Sequence, residues 1–285
     1  MKIAAVDIGT NAVKSKIFKT TPTSIEFIHS IRSPIRLGTE VFLQGKIPKK
    51  KLNELTVILK NYIHYFAKKK VKHFEIVATS AFRDTLNSED SRRYIEQNIN
   101  CPVRIISGFE ESSLLRFHPD ISTNKRSFYV DVGGGSTEIF QYNKKGSLIQ
   151  SFQLGAVRNL HKKDKQKEWR RLKDWIISTN LNSHLIGIGG NVRSFFKCQK
   201  EDEMNQEIFL LNIKNLRALS VKDKIERYKF SKDRADVIDE ALKIFKKIVT
   251  LSSPQKITAT KWGVADSIAV KLFHEIYSKS IEIKN

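Results

Sequence analysis

Apolar residues recur along the chain with two periods, and the change from one to the other divides it into elements. Residues 2–7, 13–19 and 24–31 read as strands, with Ile25, Phe27 and Ile31 on one alternating face of the third. Near residues 50–67, Leu52, Leu55, Leu59, Tyr62 and Phe66 step by three and four, which predicts a helix whose single apolar stripe packs on that meander. Strand and helix then alternate: a strand from Phe74 to Thr79, a helix after Ser88, a strand at 103–106 and a helix from Glu110 to Phe117.

From Phe128 the same order begins again. Strands are predicted at 128–132, 136–142 and 148–154, then a helix at 166–180 and a strand at 184–188. Helices follow at 234–250 and 264–277 with a short strand at 256–260 between them, and the polar stretch 118–126 reads as a junction. A plan run twice predicts an α/β protein with two lobes related by duplication, residues 1–120 and 121–285, and a cleft between them.

Composition narrows the setting. The 285 residues are 40% hydrophobic, enough to bury a sizeable core, and no run of 18 apolar residues is present to span a bilayer. The start of the chain meets a charged position at Asp7 rather than a long apolar segment, and Cys101 and Cys198 lie far apart without metal-type spacing. The expectation is a soluble, unprocessed, cytoplasmic protein without membrane partners. A net charge of +21 concentrates polyanions around the molecule. Lysine and arginine cluster at 46–72 and 162–173, in segments that read as helical; solvated helix faces and an anion-guiding surface both account for them. Nucleic acid is not expected, because the basic runs lack interleaved aromatics.

Chemistry is concentrated where strands end. In Asp131-Val132-Gly133-Gly134-Gly135-Ser136-Thr137-Glu138 an apolar strand delivers a carboxylate to its end, and three glycines let the backbone turn tightly and approach a ligand. Such a turn aims amide donors at phosphate oxygens, and a carboxylate beside it recruits Mg²⁺ (or Mn²⁺), which binds through few protein ligands. A glycine-rich hairpin whose aspartate caps its own turn has the same composition. Asp7-Ile8-Gly9-Thr10-Asn11 stands at the equivalent place in the first lobe, suited to gripping a phosphate from the opposite side or serving as an ordinary glycine turn. In Ile186-Gly187-Ile188-Gly189-Gly190-Asn191 a strand end precedes a helix predicted at 191–197, whose N-terminus favours an anion.

Six segments taken together resemble the exopolyphosphatase / guanosine pentaphosphate phosphohydrolase family, in family order: Asp7 to Asn11, Ala78 to Asp84, Ile105 to Glu111, Asp131 to Glu138, Leu154 to Arg158 and Ile188 to Arg193. The resemblance covers residues 1 to about 195, with the remainder matching by length and helical pattern. It implies two actin-like (ribonuclease H-like) lobes and a metal-dependent phosphoanhydride hydrolase. Glu111 matches the position taken as the family's general base, and Arg83 a position facing substrate phosphates; their local alternatives are a first-turn acid, open equally to Glu110, and a surface arginine paired with Asp84. Asp131 and Glu138 match acidic positions associated with the metal. Phosphate contacts are implied for Asp7, Gly9, Thr10, Asn11, Gly133, Gly134, Gly135, Ser136, Gly189 and Gly190.

The family pattern is broken in three places. Ala12 stands where a hydroxyl residue is favoured, Lys14 where arginine is usual, and the late segment Thr260 to Ser267 lacks its arginine, with Gly263, Ala265 and Asp266 inside it. Three readings remain open at this point: an exopolyphosphatase acting on inorganic polyphosphate, which the charge favours; a guanosine pentaphosphate 5′-phosphohydrolase with a base pocket around Gly189 to Phe195; and a catalytically impaired binding or regulatory protein. The resemblance also implies a homodimer.

Overall fold

The computed structural model describes residues 1–119, 127–143 and 146–282, so the part of the expected junction from 120 to 126 lies outside the described residues. The chain runs through β1 (Lys2–Ile8), β2 (Ala12–Thr21), β3 (Ser24–Pro34), α1 (Leu37–Gln44), α2 (Lys49–Lys68), β4 (His73–Ala78), α3 (Ser80–Arg83), α4 (Ser88–Ile99), β5 (Arg104–Ile105) and α5 (Gly108–Leu114). It continues with β6 (Phe128–Val132), β7 (Thr137–Asn143), β8 (Gly146–Phe152), α6 (Ala156–Leu160), α7 (Gln166–Thr179), β9 (Leu185–Ile188) and α8 (Gly190–Gln199). Then come β10 (Glu203–Met204), α9 (Gln206–Arg217), α10 (Val221–Tyr228), α11 (Lys232–Ala235), α12 (Ile238–Ser252), β11 (Ile257–Ala259) and α13 (Val264–Glu282).

Two compact units result, one of residues Met1–Phe117 with the segment from Val264 onward, the other of His118–Gly263. The boundary differs from the expected 121–285 lobe because α13 leaves the second unit and packs with the first. Its Val264, Ala265, Ile268, Ala269 and Phe273 join Ile3, Ala5, Phe18, Val77 and Ile106 in one core. An apolar helix goes where its stripe is covered, whatever its place in the sequence.

In the first unit the sheet order is β3-β2-β1-β4-β5, with β1 to β3 an antiparallel meander and β4 and β5 added parallel. β1 is central and buried on both faces, hence its nearly continuous apolar sequence. Side chains alternate along it, so Ile3, Ala5 and Asp7 share the face that carries α13. On that face Lys16, opposite Ala5, reaches both carboxylate oxygens of Asp266 at 2.5 and 2.7 Å. α2 buries the expected stripe of Leu52, Leu55, Leu59, Tyr62 and Phe66, and the Tyr62 hydroxyl donates to the Val13 carbonyl of β2 at 3.2 Å.

The second sheet has the order β10-β11-β9-β6-β7-β8. Read from its meander end, β8-β7-β6-β9-β11 repeats β3-β2-β1-β4-β5, and β10 is an extra antiparallel edge strand. The duplication read from the sequence is therefore present in the topology, as an actin-like α/β plan used twice. Phe195, Phe209 and Phe245, from α8, α9 and α12, meet edge to face in this core, each contributing roughly 1.5–3 kcal/mol on burial. No helix among the described residues is long and apolar enough to cross a membrane. The lysine-rich segments lie on α2 and α7 with Lys49, Lys50, Lys167 and Lys173 exposed.

Candidate active site

β1 ends its buried row on Asp7, which is 3% exposed, and burial pushes its carboxyl above the usual carboxylate range. Lys14, its cross-strand partner, lies 3.5 Å away and opposes the shift. The hairpin closes through the Gly9 N–H, which donates to the Ala12 carbonyl at 3.1 Å. Thr10 Oγ1 is 2.7 Å from Ser80 Oγ, tying the hairpin to α3. The Asn11 side-chain oxygen accepts from Arg36 Nε at 3.0 Å, and its carbonyl accepts from the Ile35 and Arg36 amides, so Asn11 anchors the chain leaving β3.

The structure brings Arg83 and Glu111 into contact. Arg83 ends the short helix α3, where Nη1 donates to Glu111 Oε2 at 2.7 Å and to the Ile106 carbonyl at 3.0 Å. α5 starts at the Ser107 cap, whose hydroxyl accepts from the Glu110 N–H. Its two first-turn acids then diverge: Glu110 pairs with Arg104, which also binds Glu75, whereas Glu111 is buried against Arg83. Geometry thus separates two acids that are equivalent by sequence position.

In the second unit Asp131 and Glu138 are direct cross-strand partners on one face of the sheet, and both are buried. The same seven-residue step in the first unit pairs Asp7 with Lys14. One hairpin therefore carries its own cation opposite the carboxylate, and the other sets carboxylate against carboxylate, an arrangement that is unfavourable unless positive charge is supplied. Ser151 Oγ donates to Glu138 Oε1 at 2.9 Å. Among the described residues no group of three or more histidine, cysteine, aspartate or glutamate side chains is arranged to hold a metal ion. Two carboxylates remain the fit for a hard cation that keeps most of its water.

The glycine loop is held from behind by α6. Gly133 O accepts from the Ala156 N–H at 3.0 Å, Gly134 O from the Val157 and Arg158 N–H groups at 2.8 and 3.0 Å, and Gly135 O from Arg158 Nε at 2.7 Å. In a planar trans peptide the N–H points opposite the C=O, so the amides of Gly134, Gly135 and Ser136 are all turned away from α6, side by side. Among the described residues the Gly134 and Gly135 amides meet no acceptor. Gly155 makes the close packing possible: a Cβ there would lie 2.5 Å from Gly135 N and C. Gly189, with φ +97°, ends β9 against the carboxylate, and a Cβ there would lie 2.8 Å from Asp131 Oδ1.

Gly155 and Arg158 belong to the Leu154 to Arg158 segment that marks the resemblance, yet their role as the clamp behind the loop is visible only in the fold. Arg158 is buried, 7% exposed, and apart from its place in that segment nothing in the local sequence marks it.

A family model described as the Ppx/GppA phosphatase family matches residues 16–175, more than half of the chain. Among solved structures, the Aquifex aeolicus Ppx/GppA family member superposes with a TM-score of 0.75 at 20% identity, covering 98% of this chain and 98% of that one. An exopolyphosphatase from Cytophaga hutchinsonii superposes with a TM-score of 0.81 at 20% identity, covering 96% of this chain and 98% of the other. At such identities the likeness establishes a shared fold.

Proposed function

Because the chain belongs to the Ppx/GppA phosphatase family, whose members hydrolyse phosphoanhydride bonds, we propose that it is an exopolyphosphatase releasing the terminal phosphate of inorganic polyphosphate. The observation that carries this reading is the loop Gly133 to Ser136, whose Gly133, Gly134 and Gly135 carbonyls are engaged by α6, so that the three amides following them are turned the other way, toward a ligand. Those amides and the Ser136 hydroxyl hold phosphoryl oxygens, and being fixed in advance they need no reorganisation as charge develops. Asp131 and Glu138 are the residues that would hold Mg²⁺ or Mn²⁺, which when bound supplies positive charge against the phosphate oxygens. Glu111 takes the proton of the attacking water, and Arg83 keeps that carboxylate oriented while offering its fork to the substrate. Asp7, Gly9 and Thr10 serve as the second phosphate grip, and Gly189 and Gly190 let the backbone close on the ligand.

Inorganic polyphosphate is favoured over guanosine pentaphosphate by the lining of the cavity beside Gly190. Arg193, Lys197, Arg234 and Lys261 dominate it, and its aromatic residue, Phe196, is only 4% exposed, which leaves little surface on which a base could stack. We further propose a homodimer working in the cytoplasm, consistent with the family. The test is phosphate release from long-chain polyphosphate, tripolyphosphate and guanosine pentaphosphate, with Mg²⁺, with Mn²⁺ and with chelator, for the wild type and Glu111→Gln. Metal-dependent release that disappears in the variant supports the reaction and the base together. Release from guanosine pentaphosphate alone would move the substrate to the nucleotide, and no release from any of them would leave a binding protein.

A further inference from the structure

Beside Gly190 a cavity of about 520 Å³ opens along α8, and a second of about 470 Å³ adjoins it, the two sharing Ser194, Lys197 and Arg234. Gly190, Arg193, Ser194 and Lys197 are spaced three and four apart, so one face of α8 forms the floor of both. Ten residues of helix make that floor about 15 Å long. It begins at the Gly189 turn, which lies against Asp131, and ends near Lys200.

The walls carry the same charge as the floor. Arg234, from α11, lies over the Gly190 backbone, where an added Cβ would come within 2.5 Å of its guanidinium nitrogens, and it is fixed by donating to Asn191 Oδ1 at 3.0 Å. Lys261 closes the first cavity, and Arg227 and Lys229, at the end of α10, close the second. Seven cationic side chains face two acids, Glu201 and Asp202, both in the first cavity. Lys197, Lys200 and Lys229 have no carboxylate partner among the described residues. Arg227 is paired with Asp223 at 3.1 Å, so it is these three lysines that bring unoffset positive charge to the second cavity, an arrangement that repels itself unless a polyanion lies in it.

Resting on the exopolyphosphatase reading, we propose that this trough along α8 binds the inner phosphates of an extended polyphosphate chain whose terminal phosphate is held at the Gly133 to Ser136 loop. Tripolyphosphate is too short to occupy its far end. The trough thus sets preference for chain length, through charge contacts that weaken with salt.

The test is a variant with Lys197→Gln, Lys200→Asn and Lys229→Asn, asparagine being chosen because Lys200 and Lys229 adopt φ of 59° and 57°. Unfolding temperature checks that the variant is folded. The ratio of kcat/KM for long-chain polyphosphate to that for tripolyphosphate is expected to fall at least tenfold, through KM. An unchanged ratio, or an equal loss on both substrates, overturns the trough and leaves the exopolyphosphatase reading standing. If the wild type hydrolyses neither substrate, that reading fails, and fluorescence anisotropy with labelled long-chain polyphosphate decides the trough alone. Binding at least tenfold weaker in the variant supports it, and equal binding overturns it.

Discussion

Replacing Gly155 with alanine tests whether the loop Gly133 to Ser136 depends on the clamp behind it. Gly155 has φ −159° and ψ 157°, an extended conformation open to alanine, so the substitution brings no backbone strain and its effect is steric alone. The added Cβ would sit 2.5 Å from Gly135 N and C and 2.6 Å from Gly134 C, against an ordinary carbon contact of about 3.5–4.0 Å. Backbone is the obstacle, so loop and α6 must separate by about 1 Å. A misplacement of that size at a catalytic group costs on the order of 100-fold in rate. Overpacking costs about 1–3 kcal/mol, which for a chain of this size is roughly 2–12 °C of unfolding temperature. Phosphate release from polyphosphate and a thermal melt measure both. Activity within threefold of wild type at an unchanged melting temperature would refute the reasoning, because the loop would then tolerate losing its support.

Three further outcomes are expected. Glu111→Gln lowers phosphate release about 10²–10⁴-fold while polyphosphate binding by anisotropy stays within a few-fold of wild type; a comparable loss of binding would mean that Glu111 holds substrate and is no base. For Asp7, burial raises the folded-state pKa above the ordinary 3.8, so the native state keeps its proton to higher pH and the protein loses stability as pH rises through that window. Asp7→Asn therefore unfolds at a higher temperature than wild type at pH 7, with the difference closing below about pH 4; a lower melting temperature at pH 7 would show that Lys14 outweighs burial. Lys16→Met takes the ammonium away from the buried Asp266 carboxylate, and urea unfolding is expected to lose roughly 3–5 kcal/mol, with a loss below about 1 kcal/mol contradicting the importance of the pair.

Much of the architecture was legible because period follows burial. The stripe from Leu52 to Phe66 and the alternation in the two meanders mark faces that a sheet or helix must cover. The region from 199 to 233 was read least: β10 is two residues long and α10 buries only Lys224, whereas α9 does carry a stripe of Phe209, Ile213 and Leu216 behind its Asn205 cap. The helix predicted at 234–250 is divided into α11 and α12. α3 and α6 are single turns fixed by contacts remote in sequence, Thr10 with Ser80 and Arg158 with Gly135, which no local pattern announces. The candidate site could be read as a set of types at strand ends. What the sequence withheld was pairing: that Glu111 rather than Glu110 meets Arg83, and that Asp131 faces an acid where Asp7 faces a lysine. The late segment that departs from the family pattern has a structural use here, since its Asp266 pairs with Lys16.

The return of α13 to the first unit bears on how the protein is made. Ile3 and Ala5 share a core with Val264 and Ile268, so one face of β1 waits for partners synthesised about 260 residues later. At roughly 5–20 residues per second that interval is on the order of 13–50 s, long enough for exposed apolar surface to find wrong partners. The unit His118–Gly263, by contrast, is one uninterrupted stretch and can complete itself during synthesis. The half of the molecule that emerges first is thus the half that finishes last, and its assembly depends on whatever shields Ile3, Ala5, Val77 and Ile106 until α13 arrives.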